Sequence, residues 1–209
     1  MFDDAVTPVL TCQLMTRTAA SWFLASLIGV FGVSSLAGAQ SLVDDYSPVT
    51  EAMLLSPPDG EWLMWRRTYD HWGYSPLDQI NESNVGTLRL AWAWTLEPGG
   101  FQETTPLVHD GVMFLPQACD FIEAVDARDG TLIWEYRRDR PDDLADYMIG
   151  SLIDTNRNLA IHGNLIIDTS ADEYVFALDA TTGELVWETQ ILDYKVHPAN
   201  QTSGPIIAN

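Results

Sequence analysis

Hydrophobic and polar residues alternate along the second half of the chain in short runs that turn-forming residues separate. Residues 106–115 and 159–167 each read as a strand, a tight turn and a second strand, and a third run of this kind begins at residue 204. Alternation with a period of two, bounded by Gly, Asp and Asn, is typical of antiparallel strands. The pattern therefore predicts an all-β architecture for this part of the chain.

A twelve-residue motif occurs twice and predicts how the strands are grouped. Residues 124–135 read AVDARDGTLIWE and residues 177–188 read ALDATTGELVWE, an offset of 53 residues. In each copy the Asp and the Gly shape a turn between two outer strands. Repeats of this length are typical of β-propeller blades, each of which needs neighbours to bury its faces. We expect a partial propeller of about three four-stranded blades, which cannot close a ring and has an incomplete last blade.

The segments around the repeats predict a few local elements. Residues 40–60 form a polar lead-in with one short helix near residues 48–55, and Ser75-Pro76 predicts a helical turn that runs through Ile80. Residues 88–96 alternate as a strand that places Trp92 and Trp94 on one face. The acidic loop at residues 139–150 has room for one helical turn.

The N-terminal 39 residues have the order of a secretory signal peptide. Arg17 precedes an apolar run over residues 19–33, and the small-residue site Ala37-Gly38-Ala39 follows. The run is short for a membrane span, so we expect cleavage after Ala39, no stable membrane insertion and a periplasmic location in a Gram-negative host. Asp3 and Asp4 suit a signal peptide poorly, which makes Met15 an alternative start and residues 1–14 a spurious extension.

The charge balance excludes one class of partner. The chain has 30 acidic and 10 basic residues among 209, for a formal net charge of −20. Nucleic-acid binding needs basic surfaces that displace counterions, so nucleic acid is not an expected partner. The acidic surface fits solubility and attraction to cationic partners.

The repeats, together with the segment before them, resemble the quinoprotein alcohol dehydrogenases, which bind pyrroloquinoline quinone (PQQ). The entry segment contains RTYD at residues 67–70, YSPLDQIN at 74–81 and LRLAW at 88–92, and the two repeats match the family's tryptophan-docking motif. The resemblance covers about residues 60–209. It implies an eight-bladed propeller of which this chain is an N-terminal fragment over residues 61–209, with Trp134 and Trp187 packed between blades.

The same resemblance implies three cofactor-binding residues. QETTP at residues 102–106 is similar to the family's Q-E-x-[ST]-P and gives Glu103 a hydrogen bond to the quinone. NRNLA at 156–160 is similar to N-R-G-L-A and directs Arg157 to the quinone oxygens, with Asn158 in the place of the family's Gly. Thr202, three residues before Pro205, corresponds to a threonine that binds a quinone carboxylate, and Ser203 is a weaker candidate. The alternatives are a solvated strand-end carboxylate for Glu103, a surface loop arginine for Arg157 and turn chemistry for Thr202.

The resemblance also implies what this chain does not supply. The family's catalytic aspartate and the ligands of its Ca²⁺ or lanthanide ion correspond to positions after Asn209, so we expect no catalytic residue and no metal ligand here, and no activity from the fragment alone. Many family members carry adjacent cysteines that cover one face of the quinone, whereas residues 150–153 read GSLI. The resemblance therefore leaves open how that face would be covered.

These expectations combine into one leading hypothesis and two alternatives. The leading hypothesis is a periplasmic dehydrogenase that, at full length, oxidises an alcohol by hydride transfer to PQQ and passes electrons to a c-type cytochrome or similar acceptor. One alternative is a non-enzymatic propeller that acts as an envelope scaffold, although no cysteine for lipid attachment follows Ala39. The other is a propeller that holds PQQ or a sugar without turnover.

Overall fold

Most of the regular structure is β-strand, as the alternation predicts. The computed structural model describes residues 43–96, 101–147, 155–199 and 201–208. The predicted signal peptide and its cleavage site, and residues 150–153, lie outside these ranges. In chain order the elements are α1 (Glu51–Leu55), a 3₁₀ turn (Val85–Thr87), β1 (Gln102–Thr105), β2 (Leu107–His109), β3 (Val112–Gln117), β4 (Phe121–Asp126), β5 (Leu132–Arg137), α2 (Leu144–Tyr147), β6 (Asn156–Asn158), β7 (Ala160–His162), β8 (Leu165–Thr169), β9 (Tyr174–Asp179) and β10 (Leu185–Gln190).

Two four-stranded antiparallel sheets form the body of the molecule. The first has the order β2-β3-β4-β5 and the second has β7-β8-β9-β10. Their inner hairpins have equivalent registers, with Leu107 opposite Phe114 in the first and Ala160 opposite Ile167 in the second. Each sheet is one propeller blade with its strands in chain order. The all-β, partial-propeller prediction is confirmed, with two blades complete in the described residues.

The motif residues form the outer turns that the sequence predicts. Gly130 N–H donates to the Asp126 carbonyl and Gly183 N–H to the Asp179 carbonyl, both at 2.8 Å. The two glycines have φ values of +77° and +73°, in the left-handed region that favours glycine. The Asp179 carboxylate also accepts from the Thr181 N–H at 2.8 Å, which satisfies a backbone group inside the turn. The Asp and the Gly of the motif therefore act together in closing the β4–β5 and β9–β10 turns.

The two blades pack through aromatic side chains and through Arg138, which bonds across to Asp172 and Glu188. Trp134 on β5 is buried and its Nε1 donates to the Ala180 carbonyl of the second blade at 2.9 Å, while Tyr136 on the same strand contacts Phe176 of the second blade. The predicted role of Trp134 between blades is confirmed. Trp187, its equivalent in the second blade, has 38% of its surface exposed. Since β10 is the last strand of the second sheet, no described blade lies beyond Trp187.

The lead-in crosses both blades. The side chain of Thr50 accepts from the Met53 N–H and caps α1, which buries Leu54, so the predicted helix near residues 48–55 is confirmed. Isolated backbone bridges join Val49 to Gly163 of the second blade and Trp62 to Val108 of the first. The lead-in is therefore anchored at two points on different sheets.

Two local predictions are wrong. Residues 75–80 form no helical turn; instead the side chains of Asn81 and Asn84 hold the following segment, with Asn84 Nδ2 donating to the Gln79 carbonyl at 2.7 Å. Residues 88–96 form no strand, because no described strand lies beside them to pair with their backbone. Trp92 and Trp94 nevertheless point to one side, as predicted, because their indoles donate to the Ala127 carbonyl and the Glu123 carboxylate of the first blade.

Two further predictions concern the loop after the first blade and the start of the third. α2 confirms one helical turn in the acidic loop. Residues 201–208 contain no strand, so the third hairpin does not form within the described part of the chain. No helix in the described ranges is both long enough and apolar enough to span a bilayer.

Candidate functional site

A parallel pair of short strands brings two of the predicted site residues together. β1 precedes the first blade and β6 the second, and they pair in parallel with Gln102 opposite Asn156. Glu103 and Arg157 follow these partners by one residue each, and Arg157 Nη2 lies 2.7 Å from Glu103 Oε2. Their side chains remain 49% and 37% exposed, so both groups can reach a ligand. The predicted pair, 54 residues apart in sequence, is adjacent in space.

The third predicted residue, Thr202, contacts the same guanidinium. Arg157 Nη1 donates to the Thr202 carbonyl at 3.1 Å. This contact uses the backbone of Thr202, whereas Ser203 and Gly204 line the neighbouring pocket. A guanidinium offers five donors in a fixed fork, so Arg157 can hold Glu103 and Thr202 and still present donors to a ligand.

Gly204 marks a close approach between the chain segments around the pocket. Its φ is +66°, and a Cβ at this position would overlap the Asn158 carbonyl oxygen. No L side chain fits there without moving the backbone of β6. The glycine therefore lets residues 201–205 pass directly over β6, which brings Thr202 to Arg157.

The pocket beside this cluster has a volume of about 340 Å³. Its polar lining includes the paired Glu103 and Arg157, together with Thr105 and Ser203. The remaining walls are largely apolar and are formed by Leu54, Leu63, Met64, Trp65, Leu159, Ile206 and Ile207. Apolar walls with a few converging polar groups are typical of small-molecule sites, and the volume is in their usual range.

The lead-in contributes walls that sequence reasoning did not assign. Leu54 of α1 and the run from Leu63 to Trp65 line the pocket, as does His71, whose ring packs edge-on against Trp65 with centroids 5.0 Å apart. Nothing in their spacing connects these residues with Glu103 or Arg157. Only the entry-segment resemblance pointed to this region, and it assigned no role to a side chain.

A second group of charges lies between the blades, away from the pocket lining. Arg138 makes a two-pronged contact with Asp172, with Nε and Nη2 each 2.9 Å from a carboxylate oxygen, and its Nη1 donates to Glu188 at 2.8 Å. Burial raises the pKa of Asp120 to about 6 against the opposing effect of Arg140, and burial raises the pKa of Asp168 well above its usual value. Because Arg138 of the first blade bonds to Asp172 and Glu188 of the second, we assign this ion-pair cluster to the blade interface.

Comparison with known proteins identifies the architecture. Residues 62–148 match the family model described as the glucose/ethanol/alcohol dehydrogenase β-propeller domain, named PQQ. The dehydrogenase subunit of the quinone-linked alcohol dehydrogenase of Komagataeibacter europaeus is 38% identical over 192 residues, which is 90% of this chain and 25% of that protein. The chain belongs to the quinoprotein alcohol dehydrogenase family.

Solved structures of quinoprotein dehydrogenases agree with the fold. The quinohemoprotein alcohol dehydrogenase ADHIIG of Pseudomonas putida superposes with a TM-score of 0.65 at 34% identity, over 70% of this chain and 22% of that one. A europium-containing methanol dehydrogenase gives 0.59 at 31% identity, over 66% of this chain and 24% of that one. The chain thus spans about a quarter of the quinoprotein dehydrogenases it matches.

Proposed function

We propose that this chain is part of the propeller of a PQQ-dependent dehydrogenase that oxidises an alcohol. The observation that carries the proposal is the convergence of Glu103, Arg157 and the Thr202–Gly204 segment at the polar side of one pocket. Three segments that are far apart in sequence meet there. Each of them is similar to a cofactor-binding motif of the quinoprotein family.

The donor set fits PQQ, a planar ortho-quinone with three carboxylates. Arg157 can donate to quinone or carboxylate oxygens, the hydroxyls of Thr105 and Ser203 can donate as well, and Glu103 can accept from a ring N–H. The apolar walls, which include the indole of Trp65, suit a flat conjugated ring system. The close passage at Gly204 keeps the polar groups together without a side chain in between.

The residues of this chain would bind and orient rather than perform the chemical step. A bound quinone supplies a two-electron acceptor for the hydride of an alcohol carbon. The Arg157 guanidinium stabilises negative charge on an oxygen at the ring edge, because it stays charged and is already held in place. Glu103 fixes its orientation through the 2.7 Å ion pair, and the Thr202 carbonyl holds its other arm.

Several finer parts of the proposal come from the sequence and the resemblance. The signal-like N-terminus supports export to the periplasm with cleavage after Ala39. The family resemblance supports a Ca²⁺ or lanthanide ion held by residues after Asn209 and a c-type cytochrome as electron acceptor. The isolated 209 residues are expected to be inactive for the same reason, and alcohol-dependent dye reduction by them would contradict this part.

Reconstitution of the full-length protein tests the proposal. The apoprotein is loaded with PQQ and either Ca²⁺ or La³⁺, and quinone binding and alcohol-dependent dye reduction are measured. We expect Glu103→Ala and Arg157→Ala to weaken PQQ binding and lower activity, each by at least about tenfold, since each removes a charged partner. Glu184→Ala is the control, because Glu184 is exposed on the β9–β10 turn. A folded protein that binds no PQQ would leave the non-enzymatic propeller as the better hypothesis.

A further inference from the structure

A buried histidine joins the lead-in to the first blade. His109 ends β2 and its side chain is fully buried. Its Nδ1 lies 2.7 Å from Glu61 Oε2, and its Nε2 lies 2.7 Å from the Ser47 carbonyl oxygen. A carbonyl or an ionised carboxylate oxygen can only accept a hydrogen bond. Both ring nitrogens therefore donate when both contacts are made, which requires the charged imidazolium.

The groups around the ring favour this charged form. Asp110 Oδ2 lies 3.4 Å from Nε2 and is itself held by the hydroxyl and the N–H of Ser47. The ring of Tyr46 packs edge-on against the imidazole, and Asp179 of the second blade adds negative charge near that phenol. Burial alone lowers the pKa of His109, but the bonds to Glu61 and Ser47 and the charge of Asp110 outweigh it, so the pKa is raised.

The segment that His109 holds also builds the pocket. The lead-in between Ser47 and Glu61 contains α1, whose Leu54 lines the pocket, and it continues directly into Leu63, Met64 and Trp65 of the same wall. The backbone bridges at Val49 and Trp62 also attach this segment, and Arg67 Nη2 donates to the Pro57 and Pro58 carbonyls. The His109 contacts join the two ends of this segment, since Ser47 precedes α1 and Glu61 follows it in sequence.

We propose that His109 is a positioning residue: as an imidazolium it latches the lead-in to the first blade, keeps the Leu54–Trp65 wall of the pocket in place, and releases the lead-in when the ring loses its proton. The proposal concerns the protein's own wall and holds whichever ligand the pocket takes. A group whose pKa is raised on folding stabilises the fold fully below its unfolded value of about 6.5, and this contribution disappears as pH rises through the folded value.

Hydrogen exchange in the full-length protein tests the latch directly. Exchange of lead-in amides between residues 46 and 62 is followed at pH 6 and pH 9, corrected for intrinsic rates, in wild type and in His109→Gln. We expect the variant to exchange about tenfold faster at pH 6, because a charged hydrogen-bond donor is lost, and to approach the wild type at pH 9. His162→Gln is the matched control, since His162 lies 53 residues later at the same position of the second hairpin and is exposed.

A second variant changes Glu61, the carboxylate partner of His109. Glu61→Gln leaves His109 in place but removes the carboxylate that favours its charge. It should shift the loosening of the lead-in to lower pH, which also covers the case in which His109→Gln fails to fold. A difference between wild type and His109→Gln that is the same at both pH values would overturn the latch. So would protection of the lead-in by equimolar Zn²⁺ in wild type but not in His109→Gln, which would indicate a cation site. A wild-type protein that shows the expected pH-dependent exchange but binds no PQQ would keep the latch and count against the proposed function instead.

Discussion

The indole ring of Trp134 in the first blade lies directly against Gly183 in the second. A Cβ on Gly183 would come within 2.6 Å of Trp134 Cε3, and the indole Nε1 donates to the Ala180 carbonyl at 2.9 Å. Trp92 has the same relationship to Gly130 and Ala127 one blade earlier, with a 2.7 Å approach and a 3.1 Å hydrogen bond. Each tryptophan thus docks on the outer turn of the following blade, where only glycine leaves room for it.

The first prediction concerns this docking. Gly183→Ala should destabilise the protein by about 2–4 kcal/mol, because the new methyl meets the indole and the left-handed backbone disfavours any side chain. The measurement is urea unfolding followed by far-UV circular dichroism.

Gly163→Ala separates the two causes of this loss. Gly163 has a φ of +59°, but a Cβ there would meet nothing within 4 Å. Its substitution should therefore show only the backbone strain, about 1–2 kcal/mol. Equal losses in the two variants would mean that contact with Trp134 is unimportant.

A second prediction concerns Trp134 itself. Trp134→Phe removes the hydrogen bond to the Ala180 carbonyl and part of a buried ring, so we expect a loss of about 1–3 kcal/mol in unfolding free energy. Trp72→Phe should change the stability by less than about 0.5 kcal/mol, because Trp72 is 75% exposed. Similar losses at both positions would argue against a specific role for the docked indole.

A third prediction uses the buried carboxyl of Asp168. Burial and then the charge of Asp120 raise its pKa, against the amide of Asn156 and the N–H of Thr169. The folded protein therefore holds this proton more tightly than the unfolded chain, and stability must fall as pH rises from about 4 through the raised pKa. Asp168→Asn stays neutral, so its unfolding free energy should decline less between pH 4.5 and pH 8 than that of the wild type.

Asp179→Asn provides the control of opposite sign. Burial alone would raise the pKa of Asp179, but hydrogen bonds from Thr181 and Thr182 outweigh this effect and lower the pKa. Its contribution is present above the unfolded value and disappears as pH falls through the folded one. The variant should lose stability at pH 8 and approach the wild type in acid. Parallel pH profiles for wild type and Asp168→Asn would contradict the raised pKa of this buried carboxyl.

A fourth prediction concerns Gly204 beside the pocket. Gly204→Ala places a methyl against the Asn158 carbonyl and should displace residues 201–205, so that Thr202 no longer meets Arg157. We expect PQQ affinity of the full-length protein to fall by at least about tenfold, equal to about 1.4 kcal/mol, with the circular dichroism spectrum unchanged. Gly86→Ala, with open space around the added Cβ, should bind as the wild type does.

The strand and turn pattern within each blade was predictable because it depends on short-range interactions. Alternation and the Asp and Gly of the motif predicted both complete sheets and their outer turns, each formed within about 30 residues. The prediction of a strand at residues 88–96 was wrong because of a long-range requirement. Alternation describes which face of a strand each side chain occupies, but a strand also needs a neighbouring strand to bond with its backbone. The prediction of a helical turn from Ser75 to Ile80 was also wrong. The side chains of Asn81 and Asn84 donate to nearby backbone carbonyls and favour a different, non-helical backbone there.

The sequence by itself determined the fold class, the repeat and, through a family resemblance, the candidates Glu103, Arg157 and Thr202. Tertiary structure alone decided that β1 and β6 pair, which places the carboxylate against the guanidinium, and that Gly204 lets a third segment cross them. It also decided the different environments of two equivalent histidines, since His109 lies beneath the lead-in and His162 is exposed. The physical reason is that repeat periodicity fixes where a residue lies within its own blade, while burial and charge depend on which distant segment covers it.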